Sequence, residues 1–244
     1  MERQPSTLLK VALNGSREHP GVPRTADELA REARTSVAEG AQVLHLHPYD
    51  EGVETLEAEP CAAALKAVRA ACPGIPISLS TSAAIEPDPR RRLALVAGWS
   101  VLPDLVTVNQ GEAGVGELCE LLLRRGIGIE AGLLALGDSD AFVRSGLAGH
   151  CVRVLLEPLD SDPHDAVAHA AAMEEVLGRA GVTLGQIHHG DGVASWAVNE
   201  RALDRGHGNP DRARGHQVLP DGQSAPDSAA LVRVAAAMIT ARWR

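Results

Sequence analysis

The chain has 244 residues and a formal net charge of -9, from 23 Lys plus Arg against 32 Asp plus Glu. That length buries a full core as one domain, 1–244, because α/β barrels of this size fold without splitting. An acidic balance with no basic stripe and few aromatics argues against a nucleic-acid partner. The absence of any apolar run near 20 residues argues against a membrane span. Cys61, Cys72, Cys119 and Cys151 lack Cys-x-x-Cys spacing, and the head Met1-Glu2-Arg3-Gln4-Pro5-Ser6 lacks a signal's apolar stretch, so a cytoplasmic location with reduced thiols is expected.

Strand and helix patterns then alternate in units of roughly 25 to 35 residues, the size of one βα repeat. Leu8 to Leu13 reads as a first strand. The loop from Asn14 to Arg24 leads to Thr25, whose Glu28 three residues on predicts a capping box for a helix over Asp27 to Glu39. Gln42-Val43-Leu44-His45-Leu46-His47-Pro48 follows as a buried strand stopped by proline. Histidines two apart on a strand point to one side, which is the geometry of a metal half-site. Spacing alone leaves a structural role for both rings open.

A helix from about Glu57 to Ala71 precedes a strand over Ile75 to Leu79 that exits through Ser80-Thr81-Ser82. A helix over Pro87 to Trp99, a strand over Leu105 to Val108 and a helix over Glu112 to Arg125 come next. Gly128-Ile129-Glu130-Ala131-Gly132 is a fifth strand with an acidic residue inside it. Asp138 to Ala148 reads as a short helix, Val152 to Leu156 as a strand ending at Glu157-Pro158, and Pro163 to Ala180 as an alanine-rich helix. Leu184 to His188 is a seventh strand and Ala194 to Arg205 the helix after it. Alanine-rich helices pack closely on a parallel sheet, which suits a closed barrel, and seven strands are clear. The eighth strand belongs between Gly206 and Val218, where no apolar run exists. A turn at Leu219-Pro220-Asp221-Gly222 and a last helix over Pro226 to Arg242 complete the chain.

The first loop lacks the glycines of a dinucleotide fingerprint, and no Gly-x-Ser-x-Gly elbow occurs. Collected at the strand ends are Asn14, Arg17, His45, His47, Ser80, Thr81, Thr107, Asn109, Glu130, Arg153, Glu157, His188 and His189, which a barrel gathers around one mouth. Each has a structural alternative. Glu130 or Glu157 can pair with Arg153, Ser80 and Thr81 can cap a helix, and of the two late histidines His188 is expected to face the site, with His189 turned away. The cysteines and Trp99, Trp196 and Trp243 read as packing or surface residues.

Over nearly its full length the sequence resembles the zinc-dependent β-keto acid cleavage enzymes, whose founding activity cleaves 3-keto-5-aminohexanoate. The resemblance is carried by Leu13-Asn14-Gly15-Ser16-Arg17, His45-Leu46-His47-Pro48, Pro76-Ile77-Ser78-Leu79-Ser80-Thr81, Trp99 through Asn109, Gly128 to Gly132, Arg153 to Pro158 and Leu219 to Gly222. It implies a homo-oligomeric TIM (β/α)8 barrel, atypical or disrupted at its eighth strand around 209–216, that takes a β-keto acid and acetyl-CoA to acetoacetyl-CoA and a second product. His45 and His47 would ligate Zn2+, and the family's substrate-side serine and threonine fall on Ser80 and Thr107. Arg17 stands where the founding enzyme has glutamate, Tyr49 where many relatives have arginine, and Ser82 where glycine is usual. Glu130 and Arg17 join Ser80 and Thr107 as expected catalytic residues. Arg153 and His188 are the expected cofactor-side residues, Arg17 and Arg153 being the candidate cations for CoA.

The main departure lies at the eighth strand. Relatives have Thr-Arg-Ile-Gly-Leu-Glu-Asp-Thr there, supplying a carboxylate-binding arginine, a zinc-ligating glutamate and an assisting aspartate. Counting back from Leu219 puts Pro210, Arg214 and Gly215 at those positions. One coding of Asn209 to His216, AAC CCG GAT CGG GCT CGA GGA CAC, read one base later spells Thr-Arg-Ile-Gly-Leu-Glu-Asp. We infer a compensated pair of frame changes between Gly208 and Val218. With the residues as written, a catalytically impaired, metabolite-binding homologue is one alternative, and a metal-dependent aldolase or hydrolase on the same barrel is another.

Overall fold

The computed structural model describes residues 7–15, 21–211 and 218–242, with backbone alone at 209–211. Arg17, Arg214, Gly215 and Trp243 therefore lie outside the described residues. Eight parallel strands form one sheet in the order β10-β1-β2-β5-β6-β7-β8-β9. They are β1 (Leu9–Ala12), β2 (Val43–Leu46), β5 (Ile77–Ser80), β6 (Leu105–Asn109), β7 (Gly128–Leu133), β8 (Arg153–Leu156), β9 (Gln186–His188) and β10 (Asn209–Asp211). A bridge between Ile187 and Gly208 joins the two ends, so the sheet closes as a TIM barrel.

Helices α1 (Ala26–Ala38), α2 (Ala58–Ala71), α3 (Pro89–Ala97), α4 (Val115–Arg124), α5 (Leu136–Ser145), α6 (Pro163–Arg179), α7 (Ala194–Asp204) and α8 (Ser228–Arg242) cover the outside. The capping box expected at Thr25 and Glu28 forms and starts α1. Asp88 and Asp162 cap α3 and α6 without the reciprocal glutamate, each accepting from the two backbone N–H groups that follow a proline at the first helical position. Small side chains bring two of these helices together, Ala166 and Ala170 of α6 packing on Ala194 and Val198 of α7.

Strand alternation divides the residues cleanly. Leu9, Val11, Leu44, Leu46, Ile77, Leu79, Val106, Val108, Ile129, Leu133, Val154 and Leu156 face outward and form the main core with the helices. Burial of each such side chain contributes about 1.5–3 kcal/mol. The opposite positions, Lys10, His45, Ser78, Ser80, Thr107, Glu130 and Arg153, point to the barrel axis. The register confirms the sharing of one face, since His45 pairs with Ser78, Ser80 with Thr107, Thr107 with Glu130 and Glu130 with Arg153. The inner face therefore carries a cluster of polar groups bonded to one another, beside the buried apolar side chains of Val43, Leu105, Leu155 and Ile187.

Two elements depart from the sequence expectation. The eighth strand, for which no pattern exists, is present as three residues whose backbone pairs with β1, Pro210 standing opposite Lys10. Backbone pairing needs no apolar alternation, although proline brings no N–H and shortens what such a strand can contribute. A hairpin also follows the histidine strand. β3 (Tyr49–Asp50) and β4 (Val53–Glu54) pair antiparallel around Glu51 and Gly52, both at positive φ, 47 and 85 degrees, as a primed two-residue turn requires.

Candidate active site

β2 delivers His45 and His47 side by side at the C-terminal mouth, both buried. Their rings meet edge to face with centroids 5.0 Å apart, and the two Nε2 atoms are 3.2 Å apart. The backbone at His47 is clamped by Asn14, whose Oδ1 accepts from His47 N at 2.8 Å and whose Nδ2 donates to His47 O at 2.6 Å. The hairpin then returns Glu54 to the site, and its Oε2 lies 3.0 Å from His47 Nδ1. A carboxylate only accepts, so His47 Nδ1 carries a proton, and in the neutral ring Nε2 then presents a lone pair. Tyr49 Oη donates to Gly15 O at 2.6 Å and reaches Glu54 Oε1 at 3.3 Å, which fixes the hairpin against the first loop.

This pair fits a tetrahedral zinc ion. Two imidazole nitrogens at the usual ~2.0–2.1 Å from zinc stand about 3.3–3.4 Å apart at a tetrahedral angle, close to the 3.2 Å found. Glu54 on His47 Nδ1 is the outer carboxylate that ligating histidines commonly have. A third ligand is not in reach among the described residues. The trio of ligating side chains there whose atoms lie within 4.8 Å of one another is Asp162, His164 and Asp165, exposed at the start of α6 where Asp162 is occupied as its cap.

Beneath the histidines lies a buried charge network. Lys10 Nζ and Ser78 Oγ both donate to Glu130 Oε2 at 2.6 Å, and Thr107 Oγ1 donates to the same oxygen at 3.3 Å. Ser78 Oγ is also 3.1 Å from His45 Nδ1. Burial opposes ionisation of Glu130, yet Lys10, Ser78 and Arg153 outweigh it and hold the carboxyl below the ordinary carboxylate range. Glu130 thus meets Arg153, as one of the two sequence alternatives had it, at 3.5 Å.

Several expected site residues sit elsewhere. Arg153 is the first residue of β8, so it lies at the opposite end of the barrel from the histidines. It lines a cavity of about 260 Å3 there with Thr7, Val152, Gly185 and His207, which corrects its placement among the mouth residues. His188 and His189 are exchanged relative to expectation. The register pairs His188 with the outward Leu156, and His188 stacks on His207 at 4.8 Å on the helix side. Desolvation, then His207, pushes its pKa down to about 3, so it stays neutral. His189 turns inward instead, its Nε2 3.2 Å from Glu157 Oε1. Glu157 is thereby engaged by His189.

Ser80 lies on the inner face, nearly fully buried. Thr81 donates to Thr107 O at 2.9 Å and is a structural tie between strands. Arg17 is among the residues not described. The cysteines are free and buried, with desolvation pushing Cys61 and Cys151 up to about 12 and Cys119 to about 11, so none is a ready nucleophile. Sequence reasoning missed Lys10, Glu54 and Ser78. The signal for Glu54 was Glu51-Gly52 between short alternating stretches, and for Lys10 a lone cation between apolar strand neighbours.

Comparison with known proteins bears on the chemistry of this mouth. Residues 6–183 match the model of the beta-keto acid cleavage enzyme family. The curated 3-keto-5-aminohexanoate cleavage enzyme of Fusobacterium nucleatum subsp. nucleatum is 31% identical over 118 residues, and that of Acetoanaerobium sticklandii 33% over 118 residues. Each alignment covers 48% of this chain and 42% of the relative, so the matched stretch spans under half of the curated enzymes. ObcA, in ternary complex with C4-CoA adduct and oxalate, superposes with a TM-score of 0.68 at 15% identity, over 92% of this chain and 65% of that one, a likeness of fold. With most of its length matched, including the strand that carries both histidines, the chain belongs to the β-keto acid cleavage enzyme family.

Proposed function

We propose that this protein is a zinc-dependent β-keto acid cleavage enzyme that takes a small β-keto acid and acetyl-CoA to acetoacetyl-CoA and a second product. The observation that carries the reading is the pair of inward imidazoles with Nε2 atoms 3.2 Å apart, one of them backed by Glu54. Zinc, when bound, supplies a Lewis acid that polarises the substrate's keto group. His45 and His47 would hold it. Asn14 keeps His47 in place through its backbone. Ser80, on the inner face, orients the substrate's carboxylate, and Thr107 lies one strand over.

Arg153 lies at the far end of the barrel and does not serve CoA at the mouth. Arg24, whose guanidinium lies 5.4 Å over the Tyr49 ring, is the mouth-side cation we assign to the CoA phosphates; Arg17, the other expected cation, lies outside the described residues. The CoA adduct carried by ObcA, and oxaloacetate in another of its complexes, support CoA and a small keto acid as the partner classes. Free thiols throughout and no helix long and apolar enough to cross a membrane among the described residues support a cytoplasmic enzyme. Homo-oligomerisation belongs to the same proposal.

A second reading rests on Pro210, Arg214 and Gly215, which stand where the resemblance places an arginine, a glutamate and an aspartate. Arginine has no lone pair for a metal, so the chain as written is a catalytically impaired, metabolite-binding homologue under this reading. A metal-dependent aldolase or hydrolase would turn over keto acids without acetyl-CoA. The deciding assay is acetoacetyl-CoA formation from acetyl-CoA and a panel of β-keto acids, with and without added zinc. Zinc-dependent formation supports the first reading. Binding of keto acid without turnover supports the second.

A further inference from the structure

We propose that Ser78 and Glu130, anchored by Lys10, are positioning residues that fix the tautomer of His45 so that its Nε2 lone pair faces the mouth. The inference deepens the metal-site reading above and rests on it for its purpose, though not for its geometry.

A neutral imidazole carries its proton on either nitrogen, and the choice is made by what the ring touches. Glu130 is ionised and only accepts, and Oε2 receives Lys10 Nζ and Ser78 Oγ, each at 2.6 Å. Ser78 has a single hydroxyl proton. Its alternative acceptor, Thr107 Oγ1, is 3.4 Å away and neutral, so the proton goes to the carboxylate, the shorter and charge-assisted bond. Ser78 Oγ can then only accept from its neighbour at 3.1 Å, which is His45 Nδ1. The proton of His45 is thereby held on Nδ1, and Nε2 is left as the acceptor facing His47 Nε2.

His47 reaches the same state by a different route, donating from Nδ1 directly to Glu54. Two lone pairs then oppose each other at 3.2 Å, an arrangement relieved by a cation placed between them. The outer supports come from unrelated parts of the chain: one is a hairpin at the mouth, and the other is a buried relay from β1, β5 and β7. Lys10, Ser78, Glu130 and His45 are all at most 2% exposed, so water does not compete for these bonds. The relay assigns Glu130 a duty through Ser78 and His45, without contact to substrate.

Two readouts test this. Nitrogen-15 NMR of the zinc-free protein reports which nitrogen of His45 bears hydrogen. The expected result is Nδ1–H in the wild type and a mixture or Nε2–H in Ser78→Ala. Zinc affinity measured by chelator competition is expected to fall roughly 10–100-fold in Ser78→Ala, with Ser78→Thr restoring it by replacing the hydroxyl. Because Glu130→Gln alone strands Lys10 and can fail to fold, the paired variant Lys10→Met/Glu130→Gln serves as the second test and is expected to lose the His45 tautomer while remaining folded by circular dichroism. Nε2–H on His45 in the wild type, or zinc affinity and tautomer unchanged in Ser78→Ala, would overturn the proposal. Should the wild type bind no zinc, the function proposed above fails, while the NMR result still decides the relay.

Discussion

Lys10→Met removes one of two cations from a carboxylate with no solvent access, keeping the length of the side chain so that packing changes little. Glu130 would retain Ser78 and Thr107 as donors and Arg153 at 3.5 Å. Breaking a buried pair by deleting one partner costs about 3–5 kcal/mol, because the other charge stays uncompensated. Against a total stability of about 5–15 kcal/mol that is a large fraction. The cost depends on pH in a defined direction. In the wild type the Glu130 carboxyl is depressed, so its stabilisation is present above the unfolded carboxyl value of ~4.3 and is lost as pH falls through the folded value. In the variant burial is no longer answered by Lys10, the folded value moves up, and stability falls as pH rises past ~4.3. Urea unfolding at about pH 5 and about pH 7 is therefore expected to show a penalty that grows with pH, and Glu130→Gln in the same chain is expected to recover most of it. A penalty under about 1 kcal/mol, equal at both pH values, would refute the pairing on which this rests.

Glu54→Gln keeps the size of the side chain and removes the charge behind His47; zinc affinity by chelator competition is expected to drop about tenfold or more, with His47 still in place by NMR. His188→Asn removes a ring that faces α6 and α7, so metal content is expected to stay at the wild-type level while stability falls, whereas His45→Ala removes the metal; metal loss in His188→Asn would contradict the outward placement. Glu174 accepts from Arg201, Arg205 and His207. Burial raises its pKa, but these donors prevail and hold it at about 2, so the stability it contributes is present above ~4.3 and disappears as pH falls toward about 2. Acid unfolding curves of Glu174→Gln should be flatter over that window than those of the wild type.

How far the sequence reaches differs by element. The alternating helix and strand patterns follow directly from periodicity, because outward strand residues such as Val106 and Val108 or Ile129 and Leu133 must bury against helices. His45 and His47 were legible because parity within one strand puts both on one side. Parity also explains the exchange of His188 and His189. β9 has three residues, and one step of register turns a side chain from mouth to helix. Lys10 and Ser78 were obscured since a buried cation and hydroxyl make sense only beside Glu130, which is 120 residues from Lys10 in the chain. Glu54 was hidden by a turn in which a non-glycine residue, Glu51, takes positive φ. The short eighth strand left no pattern because it is held by backbone pairing to β1.

The shifted reading of Asn209 to His216 is settled by the gene itself, where codons incompatible with Thr-Arg-Ile-Gly-Leu-Glu-Asp one base later would exclude it. Metal content per chain by elemental mass spectrometry, on protein made from a DNA-verified gene for these 244 residues, tests the account most directly. It predicts zinc near one per chain, lost on His45→Ala and on His47→Ala. Protein that is folded and binds no zinc even when zinc is supplied would contradict the reading of the two histidines as a metal site.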